Sequence, residues 1–324
     1  MVGITPVGWN NNTWSIRFNS LFNMKQHTIK KSVSATGIGV HSGENVTVIL
    51  NPAPVNTGIV FRRSQYYEGG EIKASVDNVT NTLMATTIGK SPYKVTMIEH
   101  LLSACSGLHI DNLFVDVDNE EMPIFDGSAS TYAHLILKAG YETQTEDRKF
   151  IKVTEPFLHK DGDAYIIVEP HDKLEINFTI ETDHPAFNHN HTFTHDCSHY
   201  IDEIAPARTF GFTKDLATLR AKDLALGASK DNCIPLDEYR PLIDKRFENE
   251  MIRHKVLDVL GDFYLLGYPF IGKISCTNSG HKQNNAALEH LLKAKLYEII
   301  TPSKKYTRKS EIYQIPTTFS MAKV

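Results

Sequence analysis

Apolar and polar residues alternate from His27 to Ala53, in HTIKKSVSATGIGVHSGENVTVILNPA, with glycines breaking the alternation. A period of two rich in Val, Ile and Thr predicts strands, and the glycines predict turns between them. The period then changes. VTMIEHLLSACSGL predicts a helix from about Thr96, IDNLFVDVD a strand, and FDGSASTYAHLILKAG a second helix. Asp126 or Ser128 is the expected N-cap of that helix and Gly140 its C-cap. The second half runs in the same order. FIKVTEPFLHKDGDAYIIVEP and LEINFTIET predict strands, followed by helices over about Phe212–Leu226 and Glu248–Leu266, a strand at FIGKISCTN and a last helix from Asn284. Between the halves, TQTEDRKF at 143–150 is polar and poor in apolar residues. The predicted organisation is therefore a domain at 24–146 and a second at 147–300. A poorly ordered extension at 1–23 and a tail at 301–324 flank them. The shared order of elements suggests an internal repeat.

One predicted helix does not fit a surface role. RHKVLDVLGD, Arg253 to Asp262, places His254, Asp258 and Asp262 four residues apart, on one side of a helix. The other side carries Ile252, Val256, Val259, Leu260 and Phe263, and from Val256 to Phe270 the only charges are Asp258 and Asp262. An ordinary i,i+4 pair on an amphipathic helix is the bland reading. Charges on a largely buried helix need a partner, and a metal ion is one such partner.

Composition narrows the class. The 324 residues are 41% hydrophobic and 22% charged, ordinary for a globular protein of one or two domains. A formal net charge of −4 offers no electrostatic attraction to nucleic acid, and no apolar run approaches the ~20 residues of a membrane helix. Cys105, Cys197, Cys233 and Cys276 form no C-x-x-C pair. That argues against a disulfide framework or a thiolate zinc site and fits a reducing compartment. The first 43 residues lack Asp and Glu, a composition found in organelle transit peptides. An unstructured extension is the simpler reading.

A catalytic zinc takes three protein ligands and leaves one position open. His254 and Asp258 supply two. TMIEHLL offers His100 as a third, with Glu99 beside it as a base. The competing reading of Glu99 is structural: Thr96-x-x-Glu99 has the form of a capping box. His281, in SGHKQNN, reads as a loop residue preceding a helix, a position common for functional groups. ARTFGF, at 207–212, is unremarkable by chemistry alone. His184, His189, His191, His195, His199 and Cys197 crowd one segment, and a solvated loop with incidental histidines is its simplest reading.

TGIGVHSG, IEHLLSACSGLHIDN, PIFDGSAS, ARTFGF, RHKVLDVLGDFYLLG and SGHKQNNAAL occur in this order. Together they closely resemble the UDP-3-O-acyl-N-acetylglucosamine deacetylases, zinc amidases of lipid A biosynthesis, from about Met24 to Leu292. The resemblance implies an α+β fold of two similar domains, each a β-sheet with two α-helices, the helices packed between the sheets. It implies one Zn2+ held by His100, His254 and Asp258, with Fe2+ an alternative ion, and Glu99 as general base. His281 becomes the general acid or oxyanion-stabilising cation, oriented by Asp262. Thr209 becomes a carbonyl-polarising hydroxyl, Lys255 a contact to the diphosphate, and Phe210 and Phe212 the surface packed on the sugar. The implied partner is a UDP-linked acylated amino sugar, met by a monomer in the cytoplasm of a Gram-negative bacterium.

Two positions depart from the pattern. The lysine that follows the DGD turn in many members is Ala164 here, and the aromatic that follows the acidic residue of the TI[DE] motif in some is Thr182, after Glu181. Both touch nucleotide binding and not chemistry. Other functions stay in view at this point: a zinc amidase for another N-acetylated sugar, an Fe(II) site with a two-His, one-carboxylate triad for oxygen chemistry, or a metal-binding scaffold without turnover.

Overall fold

Two sheets face a shared set of helices, and each sheet follows from its own alternation. The computed structural model describes residues 25–63, 70–187, 190–194 and 199–301. The extension at 1–23, the tail from 302, and His189, His195 and Cys197 lie outside the described residues. Lys25–Thr301 pack as one compact unit. The first sheet is ordered Val33–Ile38, Asn45–Pro52, Leu113–Val117, Ile59–Arg63, Glu71–Lys73. Val46, Val48 and Leu50 point inward from one face of their strand, as a period of two requires. The second sheet has seven strands. Its centre is Phe270–Thr277, which pairs with Ala164–Glu169, Phe150–Val153 and Leu174–Thr179. The strand is buried along its length except at Lys273 and Ser275, which share one face.

Five α-helices are described: α1 (Glu99–Gly107), α2 (Ser130–Ala139), α3 (Leu216–Arg220), α4 (Glu250–Phe263) and α5 (His281–Ala294). α1 packs on α4 and α2. α2 also meets strand Val33–Ile38 of the first sheet, and α5 meets Phe157–Asp161 and Ala164–Glu169 of the second. The helices thus lie between the sheets, in an α+β arrangement. Every residue of α1 is buried, and α4 is buried except at Arg253 and Lys255. Polar groups on these two helices are removed from water and must find partners. Among the described residues no helix is long and apolar enough to cross a membrane.

Several sequence expectations need correction. α1 begins at Glu99, not near Thr96, because Val95–Thr96 is a short strand and Met97, at φ 64°, turns the chain before the helix. Thr96 therefore does not cap α1, and the capping-box reading of Glu99 fails. The N-cap of α2 is Ala129, although Ser128 Oγ does accept from the Ser130 N–H; Gly140 closes the helix as expected. The helix expected over Phe212–Leu226 shrinks to α3, preceded by strand Phe210–Phe212. Residues 143–147 belong to strand Tyr141–Asp147, paired antiparallel with Lys25–Ile29; the stretch is polar because that strand is largely exposed. His281 is the first residue of α5 rather than a loop residue, since the helix starts three residues before Asn284.

Candidate active site

The ladder read on Arg253–Asp262 is real and faces α1. Close approach of the two helices depends on Gly261. A Cβ there would sit 2.1 Å from the carbonyl oxygen of Glu99, so only glycine lets the first turn of α1 lie against α4. That approach puts the rings of His100 and His254 at a centroid distance of 5.0 Å, nearly perpendicular. One potential ligand atom from each of His100, His254 and Asp258 falls within 4.8 Å of the other two, and all three residues are buried.

These side chains fit a cation. His254 Nδ1 lies 2.9 Å from the carbonyl oxygen of Ala207 and donates to it, which leaves the lone pair on Nε2. That nitrogen stands 3.5 Å from Asp258 Oδ1. Two acceptors facing each other in a buried site repel unless a positive charge lies between them. Among the described residues, His100 Nδ1 is buried without a hydrogen-bond partner. Burial drives His100 down to about 3, helped by neighbouring His254, and burial likewise lowers His254. Both imidazoles are therefore neutral and able to ligate. Burial alone would raise Asp258, but Lys255, His254 and His281 outweigh it and hold the carboxyl well below the usual range. Two neutral imidazoles and one carboxylate match the three protein ligands that a catalytic zinc takes.

Beside the donor set stand a carboxylate, Glu99, and a third histidine, His281. Burial lifts Glu99 to about 7, against the opposing pull of His281. Burial would lower His281, yet Asp262 and Glu99 raise it to about 10, so this imidazole carries a proton at neutral pH. Its Nδ1 donates to Asp262 Oδ2 at 2.8 Å, and its Nε2 faces Glu99 Oε1 at 3.6 Å, beyond hydrogen-bond length. Carboxylate and imidazolium thus face each other without a hydrogen bond between them.

The ARTFGF segment is tied to α4 at three points. Ala207 accepts from His254. Arg208 forms a buried ion pair with Glu250, at 2.8 Å from Nε to Oε1, and its backbone N–H donates to the same carboxylate. Thr209 is held through its backbone by Gly127 and Ile234. Phe210 and Phe212 pack with Phe187, and His184 stacks edge-on against Phe187 and Phe212. Lys255 bonds Asp258 Oδ2 at 2.8 Å and lies over the ring of Phe210, 5.6 Å from its centroid.

The chain matches the family model described as UDP-3-O-acyl N-acetylglycosamine deacetylase over residues 26–293. It belongs to that family. A UDP-3-O-acyl-N-acetylglucosamine deacetylase of Acidithiobacillus ferrooxidans is 45% identical over 274 residues, 83% of this chain and 90% of the relative. Proteins of the same name from Coxiella burnetii and Pseudoalteromonas atlantica are 43% and 44% identical, over 86% and 83% of this chain and 94% and 90% of their own lengths.

In this member of the deacetylase family, the structure brings together His100, His254, Asp258, Glu99, His281 and Asp262 from three helices. Phe210, Phe212 and Lys255 form a contiguous aromatic and cationic flank. Among the described histidines of the 184–199 segment, His184 is bonded to the carbonyl of Asp237 and His191 lies near Asn249. No metal-competent group includes them. Ala164 is buried in its strand and Thr182 is exposed, so neither replaces the missing lysine or aromatic. Sequence reasoning missed Thr86, Asn284, Gly261 and the carbonyl of Ala207. Asn284 alone carried a local signal, being three residues from His281 on one helix.

Proposed function

We propose that the site hydrolyses the acetamide of UDP-3-O-acyl-N-acetylglucosamine, giving UDP-3-O-acyl-glucosamine and acetate in lipid A biosynthesis. The observation that carries this reading is a buried His–His–Asp donor set flanked by a carboxylate base and a protonated histidine, in a member of the deacetylase family. A zinc ion held by His100, His254 and Asp258 would polarise the acetamide carbonyl and make a water molecule nucleophilic near neutral pH. Glu99 is the base that takes the proton from that water as it attacks. His281, kept protonated and oriented through Nδ1 by Asp262, delivers a proton from Nε2 to the departing amine. Its positive charge also favours the oxyanion that precedes bond cleavage. Thr209 donates its hydroxyl to the same oxygen.

Lys255 has three N–H donors, so it can keep Asp258 while meeting a phosphate oxygen of the diphosphate. Phe210 and Phe212 offer a ring surface for the sugar. We read the protein as a monomer acting in the cytoplasm of a Gram-negative bacterium. We also read residues 24–146 and 147–300 as its two domains, with the site between them.

Acetate release from UDP-3-O-acyl-N-acetylglucosamine tests the reading, measured before chelation, after chelation and after adding back Zn2+ or Fe2+. Release lost on chelation and restored by zinc supports it. Metallated protein that leaves this substrate intact refutes it and turns attention to other N-acetylated sugars.

A further inference from the structure

Thr86 touches both carboxylates that serve the acid and the base. It is buried, and its backbone is pinned by the strand that follows it. Thr87–Ile88 pairs with Val95–Thr96 and with Val79–Asn81. The Thr86 N–H donates to Glu99 Oε2 at 3.1 Å, and Thr86 Oγ1 donates to Asp262 Oδ1 at 2.6 Å. The other oxygen of Asp262 accepts from His281 Nδ1 and Asn284 Nδ2, each at 2.8 Å. One residue therefore grips the far oxygen of Glu99 and the far oxygen of Asp262. The near oxygens are left to their work: Glu99 Oε1 faces His281 Nε2, and Asp262 Oδ2 holds His281 Nδ1.

The chemistry explains why a hydroxyl is needed. An ionised Asp262 only accepts, so its buried Oδ1 needs a donor. Without one the carboxylate can swing about its Cβ–Cγ bond and take the His281 ring with it. Asn284 bonds the opposite oxygen, Oδ2, and leaves the hold on Oδ1 to Thr86. An ångström of error between proton donor and leaving group costs heavily in rate and little in binding.

We propose that Thr86 is a positioning residue for the reaction, setting the relative placement of Glu99 and, through Asp262, of His281. The proposal rests on the deacetylase reading above for its role in turnover, and on geometry alone for its effect on His281. Thr86→Val keeps shape and the backbone N–H but removes the hydroxyl; Thr86→Ser keeps the hydroxyl.

In zinc-loaded full-length protein, Thr86→Val is expected to lower kcat about tenfold or more with KM within about threefold of wild type. Metal content should stay unchanged, and Thr86→Ser should recover most of the rate. In protein with 15N-labelled histidine, the Nδ1–H resonance assigned by its loss in His281→Gln should shift in Thr86→Val and hold its place in Thr86→Ser. Wild-type kcat in Thr86→Val, or equal loss in both variants, overturns the proposal. A wild-type chain that releases no acetate defeats the deacetylase reading. The resonance then still decides Thr86, because an unmoved signal in Thr86→Val overturns its positioning of His281.

Discussion

Gly261→Ala sets two physical effects against each other, and their signs differ. In the interior of a helix alanine is favoured over glycine by about 1 kcal/mol, so propensity alone predicts a more stable protein. Packing predicts the reverse. An added Cβ would lie 2.1 Å from Glu99 O, 2.8 Å from Glu99 C and 3.0 Å from Glu99 Cα. All three are backbone atoms of α1 and have no rotamer to change. Relief requires α1 and α4 to separate by about 1 Å, in a contact where both helices are buried. Overpacking of this kind costs up to about 3 kcal/mol. The net loss is then about 2 kcal/mol, a fall of about 3–4 °C in Tm for a unit of this size. The same separation moves Glu99 and His100 away from His254 and Asp258, and misplacement on that scale costs about 10²-fold in turnover. Thermal unfolding followed by circular dichroism reads the first effect, and acetate release by the zinc-loaded variant reads the second. A Tm that rises by a few degrees with full activity would refute the reasoning, because propensity would have won and close approach at Gly261 would not constrain the site.

Glu99→Gln keeps an oxygen for the Thr86 N–H but cannot accept a proton, so metal content should hold while kcat falls about 10²-fold or more. Unchanged turnover would remove Glu99 as the base. Asp258→Ala deletes a ligand and leaves Lys255 without its partner; zinc measured by elemental analysis should fall to near zero together with activity. A fully metallated variant would exclude Asp258 from the donor set. The pH profile of kcat/KM should be bell-shaped, since Glu99 must be ionised and His281 protonated. Activity should rise through the pKa of Glu99, about 7, and fall through that of His281, about 10. A bound cation favours the deprotonated form of each, so both limbs should lie at or below these values. His281→Gln should abolish the alkaline limb, and a limb that survives belongs to another group.

The sequence by itself determined what depends on short spacing. His254, Asp258 and Asp262 share one side of α4 because four residues make just over one helical turn, and that relation survives any packing. Alternation placed the strands that bury Val46, Val48 and Leu50, and ordered motifs were enough to reveal the family. Only the tertiary structure decided what is touched by Glu99, whose place three residues after a threonine suggested a helix cap. Its carboxylate instead meets the Thr86 N–H and faces His281, 182 positions along the chain. The same holds for Thr86 and Asp262, separated by 176 residues, and for Gly261, whose missing side chain matters only because α1 lies against it. Local periodicity constrains which way a side chain points from its own helix or strand. Which groups meet across the core depends on how elements distant in the chain pack, and no local pattern records that.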